Sequence, residues 1–324
     1  MTGHQLKSAR RAALGVLLLL AACSTPAPPP QPHYLLEAPP PSSDLIGKLS
    51  FRQTKQEDTL IDLAPALGVG YVELLAANPG VDPWLPGETR LAGPGARLLP
   101  GGKREGIVVN LGDLHLYWFA RNAPPRAYPI GIAKDGYATP TGVTKVKAKR
   151  EKPPWIPGES AHRDDPKLPA SIPPGPDNPL GEYALYLGWS GYLIHGTNDA
   201  RGVGRHSSRG CIRLYPPDIA ELYAQVPIGT PVRVVFEPVK LGWIGGELYL
   251  EVNPGADESL ELDETGKIAA RKPLELRALV LRAAGKDSAR IDWKVVQRAA
   301  ERRIGVPTQI TRPVASAQLT SASH

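Results

Sequence analysis

The pattern of apolar and polar positions divides the chain into stretches of different character. Residues 12–22 form one apolar run, Ala-Ala-Leu-Gly-Val-Leu-Leu-Leu-Leu-Ala-Ala, preceded by Lys7, Arg10 and Arg11. A helix needs about 20 apolar residues to span a bilayer, so this run is too short for a comfortable crossing and reads as a secretory signal over 1–22. Further on, Leu60, Ile61, Leu63, Ala64 and Leu67 fall largely on one helical face. Asp58 is the predicted N-cap, Gly68 the predicted stop, and Pro65 should kink or shorten the helix. Val72, Leu74, Leu75 and Ala76 predict a second short helix, closed by Asn78-Pro79-Gly80.

From Glu105 the pattern turns to strands. Ile107–Leu111 and Leu114–Phe119 flank Gly112-Asp113, a Gly-X pair that predicts a type II′ hairpin. Strands are also predicted at 128–132, 143–148, 183–187, 192–194, 232–236 and 248–252. Ile219, Leu222, Tyr223 and Val226 recur at helical spacing after Pro217-Asp218, and 291–304 has a similar pattern. Residues 24–43 and 151–180 are rich in proline. The first reads as an extended linker, on the order of 60 Å at ~3.1 Å per residue. A loop as long as the second, inside a domain, is usually functional or disordered.

Composition agrees with this division. There are 36 Pro and 33 Gly against 3 Phe and 1 Met, which favours turns, short strands and linkers over a helical bundle. The formal charge of +6 owes three units to Lys7, Arg10 and Arg11. What remains is too mild for a nucleic-acid partner, and no dense basic stripe is present.

The chain has only two cysteines, Cys23 and Cys211. Leu20-Ala21-Ala22-Cys23 resembles a bacterial lipobox. That resemblance implies cleavage before Cys23, lipid on its sulfur and, with Ser24 next, sorting to the outer membrane facing the periplasm. Cys211 is then left without an intramolecular partner. A lone thiol in an oxidising compartment is either buried and inert or functional.

The segment from Tyr192 to Leu214 carries the chemistry. His195 ends an apolar strand, and Cys211 follows the small-residue turn Ser207-Ser208-Arg209-Gly210 shortly before a predicted helix. Gly210 lets the backbone approach a substrate, and amides around Cys211 can meet a developing oxyanion. A thiol becomes nucleophilic when an imidazole takes its proton. His195 and His206 are both candidates for that base. His195 has the support of a strand, whereas His206 sits in a polar, Gly-rich loop. His162, His195, His206 and Cys211 match no common zinc spacing, so neither metal nor cofactor is expected.

His195-Gly196-Thr197-Asn198, Gly202-Val203-Gly204 and Ser208-Arg209-Gly210-Cys211-Ile212-Arg213-Leu214 resemble the signature of YkuD-type L,D-transpeptidases. The likeness points to the ErfK/YbiS/YcfS/YnhG-like subgroup, which attaches Braun-type lipoprotein to peptidoglycan, and covers roughly residues 50–240. Asp58-Thr59-Leu60, Ala76–Gly80 and Pro86-Gly87 also resemble a LysM module, a type that binds glycan built on N-acetylglucosamine.

The family resemblance implies a mainly β protein, with a YkuD-type β-sandwich and a small α+β LysM-like module before it. The expected parts are a signal peptide (1–22), a lipidated Cys23 with linker (23–44), the module (45–100), the catalytic domain (104–239), an accessory segment (240–312) and a disordered tail (313–324). In the implied reaction Cys211 attacks the carbonyl of the third residue of a tetrapeptide stem, and D-Ala leaves. An amine of another stem, or of a lipoprotein lysine, then resolves the thioester. His195 is the base, held through the Gly196 carbonyl, and the Gly210 amide serves the oxyanion. Arg213 organises the site, meets a substrate carboxylate or forms a salt bridge behind the loop. Thr197, Ser208, Arg209 and Trp155 are expected to face substrate. Arg209 stands where many members have histidine. The rival expectations are a hydrolase on the same scaffold and a non-catalytic wall-binding lipoprotein.

Overall fold

The computed structural model describes residues 43–269, 271 and 274–312. The signal, Cys23, most of the linker and the segment after 312 lie outside the described residues, which all belong to one unit, Pro32–His324.

The described chain opens with β1 (Leu45–Ile46), β2 (Leu49–Gln53), α1 (Leu60–Leu67), α2 (Tyr71–Ala77), β3 (Arg90–Pro94) and β4 (Arg97–Leu98). β2 pairs antiparallel with β3, and β1 with β4. Thr59, not Asp58, is the N-cap of α1, because its side chain accepts from the Asp62 amide while Asp58 instead accepts from Lys55 N. Pro65 lies inside this short helix, and Gly68 closes it at φ 65°, a left-handed conformation suited to glycine.

The central part supplies β5 (Gly106–Asn110), β6 (His115–Phe119), β7 (Arg126–Pro129), β8 (Ile132–Ala133), β9 (Gly142–Glu151), α3 (Glu159–Asp164), β10 (Tyr183–Leu187), β11 (Leu193–His195), β12 (His206–Ser208), β13 (Ile212–Arg213), α4 (Pro216–Gln225) and β14 (Pro231–Val235). One curled eight-stranded sheet has the order β13-β11-β10-β9-β14-β5-β6-β7. The mainly β expectation holds. β5 and β6 are buried along their whole length. Ile107, Val109 and Leu116 enter the main core, while Val108, Tyr117 and Phe119 enter a second cluster on the other face. Burial on both faces explains their nearly unbroken apolar runs.

The predicted two-residue hairpin between β5 and β6 is corrected. Asn110 pairs with His115, so the turn runs from Leu111 to Leu114. Leu111 N donates to Val235 O rather than into the hairpin, and Leu114, not Gly112, takes positive φ (54°). The Pro-rich stretch 151–180 is not wholly irregular. It contains α3 and a bridge between Trp155 and Ile172. Buried Asn178 ties it down, with Nδ2 donating to the Pro153 carbonyl at 2.8 Å.

The last part comprises β15 (Val239–Ile244), β16 (Glu247–Val252), α5 (Ala256–Thr265), α6 (Arg277–Ala284), α7 (Trp293–Arg302) and β17 (Thr308–Gln309). Its sheet has the order β15-β16-β17. Lys240 joins it to the rest. The buried ammonium reaches Asp113 Oδ2 (2.5 Å), Glu251 Oε1 (2.8 Å), the Leu98 carbonyl (2.8 Å) and Tyr117 OH (2.8 Å). Glu251 in turn accepts from Leu98 N at 2.6 Å.

Candidate active site

Four strands carry the floor of a cavity that contains Cys211. Its volume is about 710 Å³. Sheet register sets a row of side chains on one face: Arg150 on β9 pairs with Ala184 on β10, Ala184 with His195 on β11, and His195 with Arg213 on β13. A second row, Ala148–Tyr186–Leu193, lies beside it. All of these except buried Ala184 line the cavity. Directly paired residues share a face, which is why strand register brings residues distant in sequence together.

His195 is buried, and its Nδ1 lies 2.6 Å from the Gly196 carbonyl. A carbonyl only accepts, so Nδ1 carries the proton and Nε2 keeps its lone pair. Burial is the main reason the imidazole pKa falls to about 3, and the Arg213 charge lowers it further, while the Gly196 contact acts in the opposite sense. Burial also raises the Cys211 thiol, against smaller opposing effects of a Leu193 backbone hydrogen bond and Arg213. The resting pair is therefore neutral, not a thiolate–imidazolium ion pair. The thiol is turned to the Gly191 carbonyl, which it meets at 3.5 Å, and makes no hydrogen bond to His195. Both side chains line the same cavity.

The loop before Cys211 is clipped by Ser208. Its hydroxyl donates to the Cys211 carbonyl at 2.6 Å and accepts from Gly210 N at 3.1 Å. The Gly210 amide expected at the oxyanion is thus already engaged. No partner is found for the Cys211 amide among the described residues. Gly210 has φ 120°, and a Cβ there would fall 2.9 Å from Tyr192 Cε1, so both backbone and space demand glycine.

Arg213 is half-buried, and its Nε is buried without a partner. NH1 makes only a long contact of 3.4 Å with Ser207 Oγ. It forms no ion pair among the described residues, so the expected salt bridge behind the loop is not made. Arg209 also lines the cavity but is paired through NH2 with Asp164 at 2.8 Å. Asp164 ends α3, where Lys134 (2.9 Å) and Tyr137 OH (2.7 Å) hold it as well. Hydrogen bonds from Lys134, Tyr137 and Arg209 push its carboxyl far below the usual range. This clamp pins the Pro-rich segment over the cavity, where Trp155, Ile156, Ser160 and Ala161 form a wall.

Thr197 does not fit its expected role. It is buried outside the cavity lining, and its hydroxyl is used by Asp199 O at 3.0 Å and Asp199 N at 3.1 Å. His206 belongs elsewhere too. Its Nε2 lies 2.9 Å from Ser259 Oγ, and its backbone N donates to Asp263 Oδ2 at 2.8 Å. It lines a separate small cavity with Ser259. His162 is on α3 and does not line the Cys211 cavity. Among the described residues, no three His, Cys, Asp or Glu side chains gather as a metal site. Asp263 and Asn178 brace the site, yet single-residue chemistry does not reveal them. Asn178 falls in a stretch that resembles the family, whereas Asp263 is 57 residues from its His206 partner.

Residues 104–234 match the L,D-transpeptidase catalytic domain family known as YkuD. The L,D-transpeptidase ErfK/SrfK of Salmonella typhimurium is 39% identical over 83% of this chain and 88% of its own length. YcfS of Escherichia coli is 36% identical over 85% of this chain and 88% of its own. YbiS of the same organism is 37% identical over 75% and 80%. The chain belongs to the L,D-transpeptidase family, in the ErfK/YbiS/YcfS subgroup. It is accordingly a transferase that acts on peptidoglycan.

Proposed function

We propose that Cys211 is the nucleophile and His195 the general base of this transpeptidase. The observation that carries the reading is their shared cavity, with the proton of His195 fixed on Nδ1 by Gly196 and Nε2 left as acceptor. Rotation of the Cys211 side chain away from Gly191 delivers the thiol proton to Nε2 as substrate arrives; such contacts commonly tighten only in the complex. The sulfur then attacks the carbonyl carbon of the third stem residue. The C–N bond to D-Ala breaks, and the leaving amine takes the proton from His195. The thioester is resolved by a second amine. Its nitrogen bonds the carbonyl carbon, the C–S bond breaks, and an amine proton returns through His195 to sulfur.

In this reading the Cys211 amide serves the oxyanion, since Gly210 N is bound by Ser208. Arg213, half-buried and without a carboxylate partner, binds a carboxylate of the donor stem. Trp155 walls the donor subsite, Arg209 fixes that wall through Asp164, and Ser208 shapes the loop. The acceptor is another stem or a lipoprotein lysine. The LysM-like helix pair holds glycan, and lipid on Cys23 places the enzyme in the periplasm at the outer membrane; loss of radiolabelled palmitate from Cys23→Ser checks that placement.

Incubation with tetrapeptide-stem muropeptides and an amine acceptor tests the reaction. D-Ala release with amide formation is expected, along with a covalent meropenem adduct that Cys211→Ala abolishes. Hydrolysed product alone, or the same adduct on Cys211→Ala, overturns the assignment.

A further inference from the structure

Away from the Cys211 cavity, charges are buried where the helix pair α1–α2 meets the catalytic sheet. The Glu73 side chain on α2 is 9% exposed; its Oε1 meets Arg97 NH2 of β4 at 3.1 Å, and its Oε2 accepts from Gly70 N at 3.1 Å. Buried Asp113, before β6, and buried Glu251, on β16, both act on this carboxyl and share buried Lys240 of β15. Tyr117 on β6 and Tyr215 before α4 complete the surroundings; burial raises both phenols, so they stay neutral. The carboxylates of Glu73, Asp113 and Glu251 thus stand against only the cations of Arg97 and Lys240. A buried cluster left with a net charge is costly, so neutrality calls for one further proton.

His115 on β6 shows where that proton sits. Its Nδ1 lies 2.7 Å from the Asp113 carbonyl, which only accepts, so Nδ1 carries a hydrogen and Nε2 keeps its lone pair. Nε2 is buried without a hydrogen-bond partner among the described residues and faces Glu73 Oε2 at 3.5 Å. Two acceptors cannot satisfy each other, whereas a proton between them turns the contact into a hydrogen bond. Burial holds the His115 imidazole well below its ordinary range, and the Arg97 charge lowers it further. Burial also pushes the Glu73 carboxyl up to about 7, against Arg97 and the Gly70 amide. The proton therefore rests on Glu73, whose hydroxyl donates to His115 Nε2.

The same carboxyl is tied to the reacting loop. Oε2 closes the first turn of α2 through Gly70 N, and a Cβ on Gly70 would fall 2.9 Å from Gly204 Cα. Val72 N donates to the Gly204 carbonyl at 3.0 Å, and Tyr215 OH donates to the Val69 carbonyl at 2.9 Å. Residues 69–73 therefore touch the chain on both sides of Cys211. We propose that Glu73, outside the matched residues 104–234, is a positioning residue for transfer: as a neutral carboxylic acid bridging Gly70 and His115, it holds α2 against Gly204 and Tyr215 and keeps the stretch from His195 to Cys211 in its working shape. This rests on the reading of Cys211 and His195 given above. When the proton leaves to solvent, the cluster gains an uncompensated negative charge, Oε2 and Nε2 repel, and the grip on Gly204 slackens.

The folded carboxyl titrates above an unfolded glutamate, so the stability tied to its proton is fully present below about pH 4.5 and is lost as pH rises through about 7. About half of the neutral acid remains at pH 7 and about a tenth at pH 8. The test follows acylation of the full chain by a tetrapeptide stem, per folded molecule, from about pH 6 to 8.5, beside Glu73→Gln, which cannot ionise. The ratio of the two rates cancels the ionisation of the thiol. It should stay near one at about pH 6 and climb towards about tenfold at about pH 8, in rate rather than in KM. A ratio that stays flat, or a change in melting temperature with no change in acylation, overturns the inference. Infrared spectra give a second readout that needs only the unsubstituted protein to fold: a carboxylic-acid C=O band at about pH 6 that is gone at about pH 8.5. Absence of that band, or its persistence in folded Glu73→Gln, overturns the inference as well. Absence of any Cys211 adduct in the unsubstituted protein at every pH would instead remove the reading beneath it, while the infrared band still reports on Glu73.

Discussion

Two regions bury charge and titratable groups in opposite ways. Around Lys240, the ammonium is satisfied by two carboxylates, a phenol and a carbonyl drawn from three parts of the chain. Around His195, the neighbouring Arg213 has an unpartnered Nε, the imidazole has a free Nε2, and the thiol has only a long contact. A buried charge left without a partner is costly. The closed cluster around Lys240 binds segments together. The open cluster leaves binding capacity for a ligand. The difference teaches that burial alone does not mark a site; burial with unfilled hydrogen-bonding capacity beside a cavity does.

Substitution sets the two regions apart. If His195 is the base proposed above, His195→Gln should reduce transfer by about 10³-fold or more with little change in melting temperature, since catalytic groups that act as a unit lose most of their effect when one is removed. A large loss of stability would place His195 with the structural group. Lys240→Met should do the reverse. It leaves Asp113 and Glu251 buried without their cation, which should cost about 3–5 kcal/mol in denaturant unfolding. Turnover per folded molecule should be retained; loss of turnover at full stability would erase the contrast. The finest distinction is in pH. With its folded pKa depressed to about 3, His195 stays neutral from pH 5 to 7. Any stability tied to that neutral form is present above the usual imidazole range and is lost as pH falls towards 3. The acylation rate should therefore change less than about twofold between pH 5 and 7, where an imidazole of ordinary pKa would lose more than about tenfold. A limb near pH 6.5 would show that His195 titrates normally.

Much of the sheet was legible because its strands are short and strongly patterned. The runs at 107–111, 114–119, 183–187 and 232–236 all lie on strands or their ends. The helix after Cys211 showed its spacing through Ile219 and Leu222, both of which are buried. Local chemistry misled where tertiary contacts competed. Asp58 looked like a cap but serves Lys55, and Gly112-Asp113 looked like a tight hairpin until Leu111 N was claimed by Val235. The signature located Cys211 and pointed to His195 over His206 as the base, and the sheet adds that His195 lines the Cys211 cavity whereas His206 lines another. Asp263 was invisible. Its worth lies in bonds to Arg205 and the His206 backbone, which arise only when α5 packs against the loop between the two signature residues. Composition also hid α3, since the prolines around it mask a short polar helix.

One close approach constrains the design of any relative built from the same parts. A Cβ placed on Gly204 would come within 2.2 Å of Gly70 Cα, where Val72 N donates to the Gly204 carbonyl at 3.0 Å. The last glycine of Gly202-Val203-Gly204 thus answers to the helix pair at the N-terminal end rather than to the reacting groups. A chimera that grafts a foreign front end onto this enzyme inherits that vacancy. The graft must present an equally bare backbone there, or the stretch between His195 and Cys211 will be pushed out of shape with both side chains unchanged.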